Sequence, residues 1–271
     1  MTSALTWGAG DFAGGLTSRR TPVYGVVLVS QLTGMAIAAG LAILRNEPAL
    51  TGPDVAWSVV GGILGGIGIT ALYRGLAVGR MGIVAPVTGV LAALIPVIAG
   101  IVLEGLPDRL VLAGIGLALL AVVLVSRVAD EGGGRQGLGL ALLAGTTIGL
   151  FGVVINQISD GHVFAPLAIV RASEAVLIVA IILATRSAWR PTRNLLPVLL
   201  AIGVLDMAGN AGYIAAVQTG ALAIASVVSG LYPVTTVVLA AVFLHERVTR
   251  SHAVGIVLAS VAVALIGIGS A

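Results

Sequence analysis

LAGIGLALLAVVLV fills Leu112–Val125, and AVGIVLASVAVALI fills Ala253–Ile266. Slid by 141 positions, the stretches agree at seven of fourteen places: Gly114/Gly255, Ile115/Ile256, Leu117/Leu258, Ala118/Ala259, Ala121/Ala262, Val122/Val263 and Leu124/Leu265. Helices written in Ala, Val, Leu and Gly agree often by chance. A shared offset across several segments is harder to reach that way. This one continues backwards through Arg109/Arg250, Leu103/Leu244, Gly89/Gly230 and Gly79/Gly220. With a slightly different offset, Ser30-Gln31 falls on Ser173-Glu174. The chain reads as one unit written twice.

The unit is greasy. Of 271 residues, 58% are hydrophobic and 9% charged, with a mean hydropathy of +1.14. Soluble domains carry about 25% charged residues, so this chain cannot cover a water-facing surface of ordinary size. An integral membrane protein is expected. A membrane helix needs about 20 apolar residues. Ten such runs lie between polar breaks: Thr2–Thr17, Val23–Leu44, Val55–Ala77, Ile83–Leu103, Leu110–Ser126, Leu138–Ile158, Pro166–Thr185, Leu195–Gln218, Leu222–Leu244 and Ser251–Ser270. They lack the alternation of a membrane barrel, and lipid leaves an unpaired backbone no other solution than helix. Short breaks such as GRMG and EGLPDR imply tight helical hairpins. The glycine-rich DEGGGRQG, Asp130–Gly137, is the expected linker.

The fold expected is therefore an all-α integral membrane protein: ten transmembrane helices as two inverted five-helix repeats, 1–129 and 138–271, joined by 130–137. Five is odd, so the second copy enters the membrane from the opposite side. Many secondary transporters use this inverted arrangement for alternating access.

Other classes are disfavoured. There is no cysteine, hence no disulfide framework, zinc–thiolate cluster or thiol chemistry. The net charge is +3, but the arginines stand singly between apolar runs rather than on one basic face, so no nucleic-acid partner is expected. The start, MTSALTW, lacks a positively charged leader region. No cofactor and no metal site is expected: His162, His245 and His252 are scattered in or beside loops. An intramembrane enzyme acting on lipid would need a His/Asp/Glu cluster at one membrane face, which the sequence does not form. A receptor or scaffold would need extramembrane mass, of which there is almost none.

Several features resemble the drug/metabolite transporter superfamily, in its ten-helix branch with two EamA domains. They are Trp7-Gly8 in the first span, the small-residue third span leading into ALYRGLAVG, the fourth span ending in Leu103-Glu104-Gly105, its counterpart Leu244–Arg247, and Tyr232-Pro233 in the ninth span. The resemblance covers almost the whole chain. It implies a secondary transporter, often an exporter, of amino acids, nucleotide-like metabolites or other small organic molecules, without ATP hydrolysis. Consistently, no GxxxxGK[ST] motif is present. The resemblance also implies a central cavity lined mainly by helices one, three, four, six, eight and nine.

Orientation follows from arginine. With the N-terminus outside, the cytoplasmic loops hold ten: Arg19, Arg20, Arg80, Arg127, Arg135, Arg186, Arg190, Arg193, Arg247 and Arg250. The reverse puts only Arg45 and Arg109 inside. Positive residues favour the cytoplasmic side, so both termini are expected outside, in the cell membrane. Many family members are drawn the other way round.

Charges inside the bilayer are costly, by roughly 2.5–3.5 kcal/mol on insertion scales, and usually face a cavity or a partner. Asp206, Asn210 and Tyr213 share one helix face in GVLDMAGNAGY, which suits hydrogen bonding to a polar solute or proton carriage; a satisfied structural aspartate is the alternative. Arg171 and Glu174, three residues apart, are read as an internal ion pair or proton-coupling site. Asp11 is a partner for Arg74 or for a substrate cation. Asn156 ends the sixth span. Trp7, Tyr73, Tyr213 and Tyr232 are either cavity aromatics or membrane-interface residues. The resemblance favours Trp7, Asp11, Tyr73, Asn156, Asp206, Asn210 and Tyr232 as lining residues. Pro86 and Pro96 in span four and Pro233 in span nine lie at related positions and are gating or kink candidates. The expected partners are a small-molecule substrate and the bilayer, with the chain a monomer or homodimer. Solute identity, solute charge and coupling ion stay open at this level.

Overall fold

The computed structural model describes residues 2–104, 108–131, 136–159, 161–218, 232–246 and 250–269. The described residues are almost entirely helical, with no strand among them. The helices are α1 Thr2–Ser18, α2 Val23–Leu44, α3 Gly52–Val78, α4 Met81–Glu104, α5 Arg109–Glu131, α6 Leu138–Ile155, α7 Phe164–Thr185, α8 Leu196–Gln218, α9 Tyr232–Phe243 and α10 Arg250–Gly269. A single 3₁₀ turn, Arg193–Leu195, leads into α8. Residues 132–135 of the expected linker and 222–231 of the expected ninth span lie outside the described residues. Among the described residues, five stretches are long and apolar enough to cross a membrane: Val23–Leu44, Gly52–Val78, Leu138–Ile155, Phe164–Thr185 and Arg193–Gly212.

Lipid explains the surface. Leu44, Val102, Leu183 and Val176 are each more than two-thirds exposed, and water would make such a display an aggregation hazard. In hydrocarbon these side chains are at home, and helical backbone needs no outside partner.

The helix ends are chemically specified. Thr51 and Asp54 form a capping box on α3: the Asp54 amide donates to Thr51 Oγ1, and the Thr51 amide donates to the Asp54 carboxylate at 3.1 Å. The other Asp54 oxygen accepts from the amide and hydroxyl of Ser159, both at 2.9 Å. The Thr51 hydroxyl is a fourth donor to this carboxylate. Asp54 is 1% exposed, and the four donors make its burial tolerable. Glu47, just past α2, accepts from the free amides of Val163, Phe164 and Ala165 at the start of α7.

The two stretches that repeat in sequence lie against each other. Among the described residues, α5 and α10 share the most extensive helix–helix interface. Ala118, Ala121, Ala259 and Ala262 meet there with Val90. Gly114 lets the backbones close: a Cβ there would lie 2.8 Å from Ile266 Cγ1 and 3.0 Å from the Ala262 carbonyl.

Several of the other interfaces match when α1–α5 are set against α6–α10 in order. α3 packs on α6 as α8 packs on α1; α4 packs on α6 as α9 packs on α1; α3 packs on α7 as α8 packs on α2; and α2–α7 and α4–α9 each join equivalents. Gly62 and Gly66 of α3 receive α7 at Ser173, Val170 and Leu177. Gly89 of α4 receives the ring of Pro233 from α9. α4 runs through both Pro86 and Pro96 without a break, and Pro233 lies in α9.

The bundle is solid at one end and hollow at the other. Phe12, Val26, Leu72, Tyr73, Leu76, Met81, Val84, Ile178, Leu199 and Ile202 form one continuous core. They come from the late turns of α1, α3 and α7 and the early turns of α2, α4 and α8. Arg19, Arg20, Arg80, Arg186, Arg190 and Arg193 lie in the connections at this same end.

Candidate functional site

At the opposite end, a cavity of about 480 Å³ opens between the helices. α1 contributes Trp7 and Asp11, α3 Gly65, Ile69 and Leu72, and α6 Ile148, Phe151 and Ile155. The α6–α7 connection adds His162 and Val163, α7 Leu167, Arg171 and Glu174, α8 Asp206 and Asn210, and α9 Tyr232. α7 thus belongs to the lining, while no described residue of α4 does. The family resemblance implied the reverse for those two helices.

One arginine organises the polar wall. Arg171 Nη1 donates to Glu174 Oε2 at 3.0 Å, and Nη2 donates to Asp206 Oδ2 at 2.5 Å. The sequence reading paired Arg171 with Glu174 alone; Asp206 completes a three-residue network that no local spacing announces. Glu174 is 2% exposed. It fits because α3 has a glycine opposite: Glu174 Oε1 occupies the space that a Cβ on Gly65 would fill. Each group in such a network depends on the others, because a lone charge here faces little water.

Trp7 is locked in place. Its indole Nε1 donates to the Asp206 carbonyl at 3.2 Å, and its ring lies over Gly209, where a side chain would collide with it. Tyr232 meets it edge to face, with centroids 6.4 Å apart and planes at 82°. Asn210 donates its side-chain amide to the Asp206 carbonyl at 3.0 Å. Asp11 lies one turn after Trp7, on the same side of α1. Arg74, its sequence-stated partner, is exposed, and no ion pair joins them.

Two other candidates lie off the cavity. Tyr73 is 3% exposed, in the solid core, with its ring over Gly14. Asn156 is exposed at the C-cap of α6. The side chain of Tyr213 lies outside the described residues. Pro86 and Pro233 border a small hollow with Gly89 at the α4–α9 crossing, and neither lines the cavity. Phe151 and Leu167 line the cavity without having been singled out, and so does His162, which the sequence offered only as an isolated loop histidine. Their only sequence signal is position: ordinary residues around a break between two spans. Among the described residues, no group of three or more His, Asp or Glu is placed to hold a metal ion.

The solid end is stitched by polar bonds. The Glu246 carboxylate, after α9, accepts from the amides of Met81 and Gly82 at the start of α4, both at 3.1 Å. Arg19 lies 3.7 Å from Glu246 and donates to the carbonyls of Leu76 and Gly79. Here α1 and α3 pack together, whereas α6 and α8, their counterparts in helix order, form no interface of comparable extent among the described residues.

Comparison with known proteins agrees with this architecture. The family model described as the EamA-like transporter family matches residues 1–127 and again 135–268. None of the curated proteins matches the chain. A solved crystal structure, described only as that of a protein, superposes with a TM-score of 0.67 at 17% identity, over 97% of this chain and 93% of its own. At that identity the likeness speaks to fold.

Proposed function

The chain belongs to the EamA-like transporter family of the drug/metabolite transporter superfamily, and on that premise we propose that it exports a small organic metabolite across the cell membrane by alternating access. The observation that carries this is the cavity: a charged hollow of about 480 Å³, open at one end and backed by a stitched, solid core at the other. A transporter needs such a site accessible from one side at a time.

The proposed architecture is ten spans in two inverted repeats, 1–129 and 138–271, joined by 130–137. The paired helix interfaces and the mutual packing of α5 and α10 support it. So does the family match, which falls on the chain twice. With the arginine-rich end in the cytoplasm, the conformation described is outward-open and both termini are outside. Exchange of roles between the repeats then supplies the other state. α6 and α8 close over the cavity, while α1 and α3 part at Arg19, Leu76 and Glu246. The α4–α9 crossing, with Pro86, Gly89 and Pro233, sits where the halves would rock, and Pro96 lies further along α4. Trp7, Asp11, Asp206, Asn210 and Tyr232 are the proposed solute contacts. Glu174 and Asp206, tied to one arginine, are the proposed proton sites: protonating either would loosen its bond to Arg171.

The test compares metabolites inside and outside cells expressing the wild type or Asp206→Ala at matched membrane levels. One metabolite class should accumulate outside only with the wild type. No difference between wild type and vector would remove the transport reading. Orientation is checked in the same cells, because the chain has no cysteine. Ser187→Cys should resist an impermeant thiol reagent applied from outside, and labelling would reverse the assignment.

A further inference from the structure

A carboxylate in an apolar cavity calls for a counter-charge. Of the described groups lining this cavity, three are acids, Asp11, Glu174 and Asp206, and one, Arg171, is a permanent base. Arg171 already commits its two terminal nitrogens to Glu174 and Asp206. Its Nε has no hydrogen-bond partner and lies toward Gly34 of α2. Asp11 is left over: no ion pair reaches it among the described residues. Its neighbours are Trp7, one turn earlier, and Tyr232, held edge to face against Trp7. Aromatic faces attract cations. The same cavity is lined by Ile69, Leu72, Ile148 and Phe151, all apolar.

We infer that the transported solute is an amphipathic organic cation, its ammonium held by Asp11 beside Trp7 and Tyr232 and its apolar body laid along Ile69, Leu72 and Phe151. This rests on the transporter reading and adds the substrate class. A carboxylate on the solute would face three acids and an arginine bonded twice, so zwitterions and anions fit badly. An inorganic cation fits badly too: the cavity is many times the size of an ion, and no described cluster forms a cage.

The test holds the apolar body constant and varies the charge. Tryptamine, tryptophan and indole-3-propionate carry net charges of about +1, 0 and −1 at neutral pH. Their affinities for the purified full-length protein in detergent are measured by calorimetry. Tryptamine should bind at least about tenfold tighter than the other two. Asp11→Asn should abolish that preference and Asp11→Glu should keep it, with folding followed by size exclusion. Equal or tighter binding of either carboxylate-bearing probe, or no binding of tryptamine, overturns the inference without any mutant. Unchanged tryptamine affinity in folded Asp11→Asn overturns it as well. Flux in proteoliposomes separates the two claims. Tryptamine bound but never moved would sink the transporter reading and leave the cation site. Flux of indole-3-propionate alone would do the opposite.

Discussion

Arg171 stands between Glu174, three residues along its own helix, and Asp206, thirty-five residues away on α8. Breaking a buried ion network from one side is worse than never having built it, because the remaining charges lose their partner; the cost is about 3–5 kcal/mol. Arg171→Leu is therefore expected to lower the folded yield in membranes sharply. Asp206→Asn should leave it near normal, since Glu174 still answers the arginine. Fluorescence-detected size exclusion of the two variants measures this; equal yields would mean the network is solvated. The Arg171–Glu174 half of it was legible from spacing alone. The Asp206 half was not, because nothing local in GVLDMAGNAGY says which helix it faces.

At the scale of elements, glycine decides which helices touch. Gly114 and Gly116 lie two residues apart in α5, on different faces. A Cβ at Gly114 would press on Ile266 and the Ala262 carbonyl, whereas nothing lies within 4 Å of one at Gly116. Gly116→Ala should be neutral or slightly stabilising, since alanine favours helix by about 1 kcal/mol. Gly114→Ala should destabilise by about 1–3 kcal/mol, the usual range for overpacking. Thermal melts of the two variants in detergent check the contrast, and identical melting would deny the close α5–α10 contact. The helix bounds themselves were largely readable, because a run of about 20 apolar residues between arginine-bearing breaks has one physical outcome in lipid. Their ends moved where capping chemistry intervened, as at Thr51 and Asp54, which start α3 at Gly52 rather than Val55.

For the whole molecule, the question is which end is closed. Glu246 joins the ends of α9 and α4 and holds Arg19 of the α1–α2 turn. Charge-assisted hydrogen bonds contribute about 1.5–3 kcal/mol each, and about 1.4 kcal/mol shifts an equilibrium tenfold. Glu246→Ala should therefore move the population toward opening at the arginine-rich end. Ser18, whose hydroxyl is buried there, reports it: Ser18→Cys should react with a thiol reagent several-fold faster in the Glu246→Ala background than with Glu246 intact. An unchanged rate would make the Glu246 contacts a structural cap and not a latch.

What the sequence by itself determined was membership and material. Composition demands lipid, run length demands helices, and a phrase recurs 141 residues apart, in a chain that one family model matches twice. These are one-dimensional properties, and one dimension suffices to read them. The cavity was decided only in three dimensions. Tyr73 and Asp11 are both polar residues in apolar spans, yet one lies over Gly14 in the solid core and the other lines the cavity. Burial in a bundle depends on the rotation of each helix against its neighbours. Here glycines such as Gly14, Gly65 and Gly209 set that rotation by leaving room for Tyr73, Glu174 and Trp7, so a side chain's role depended on a missing one opposite.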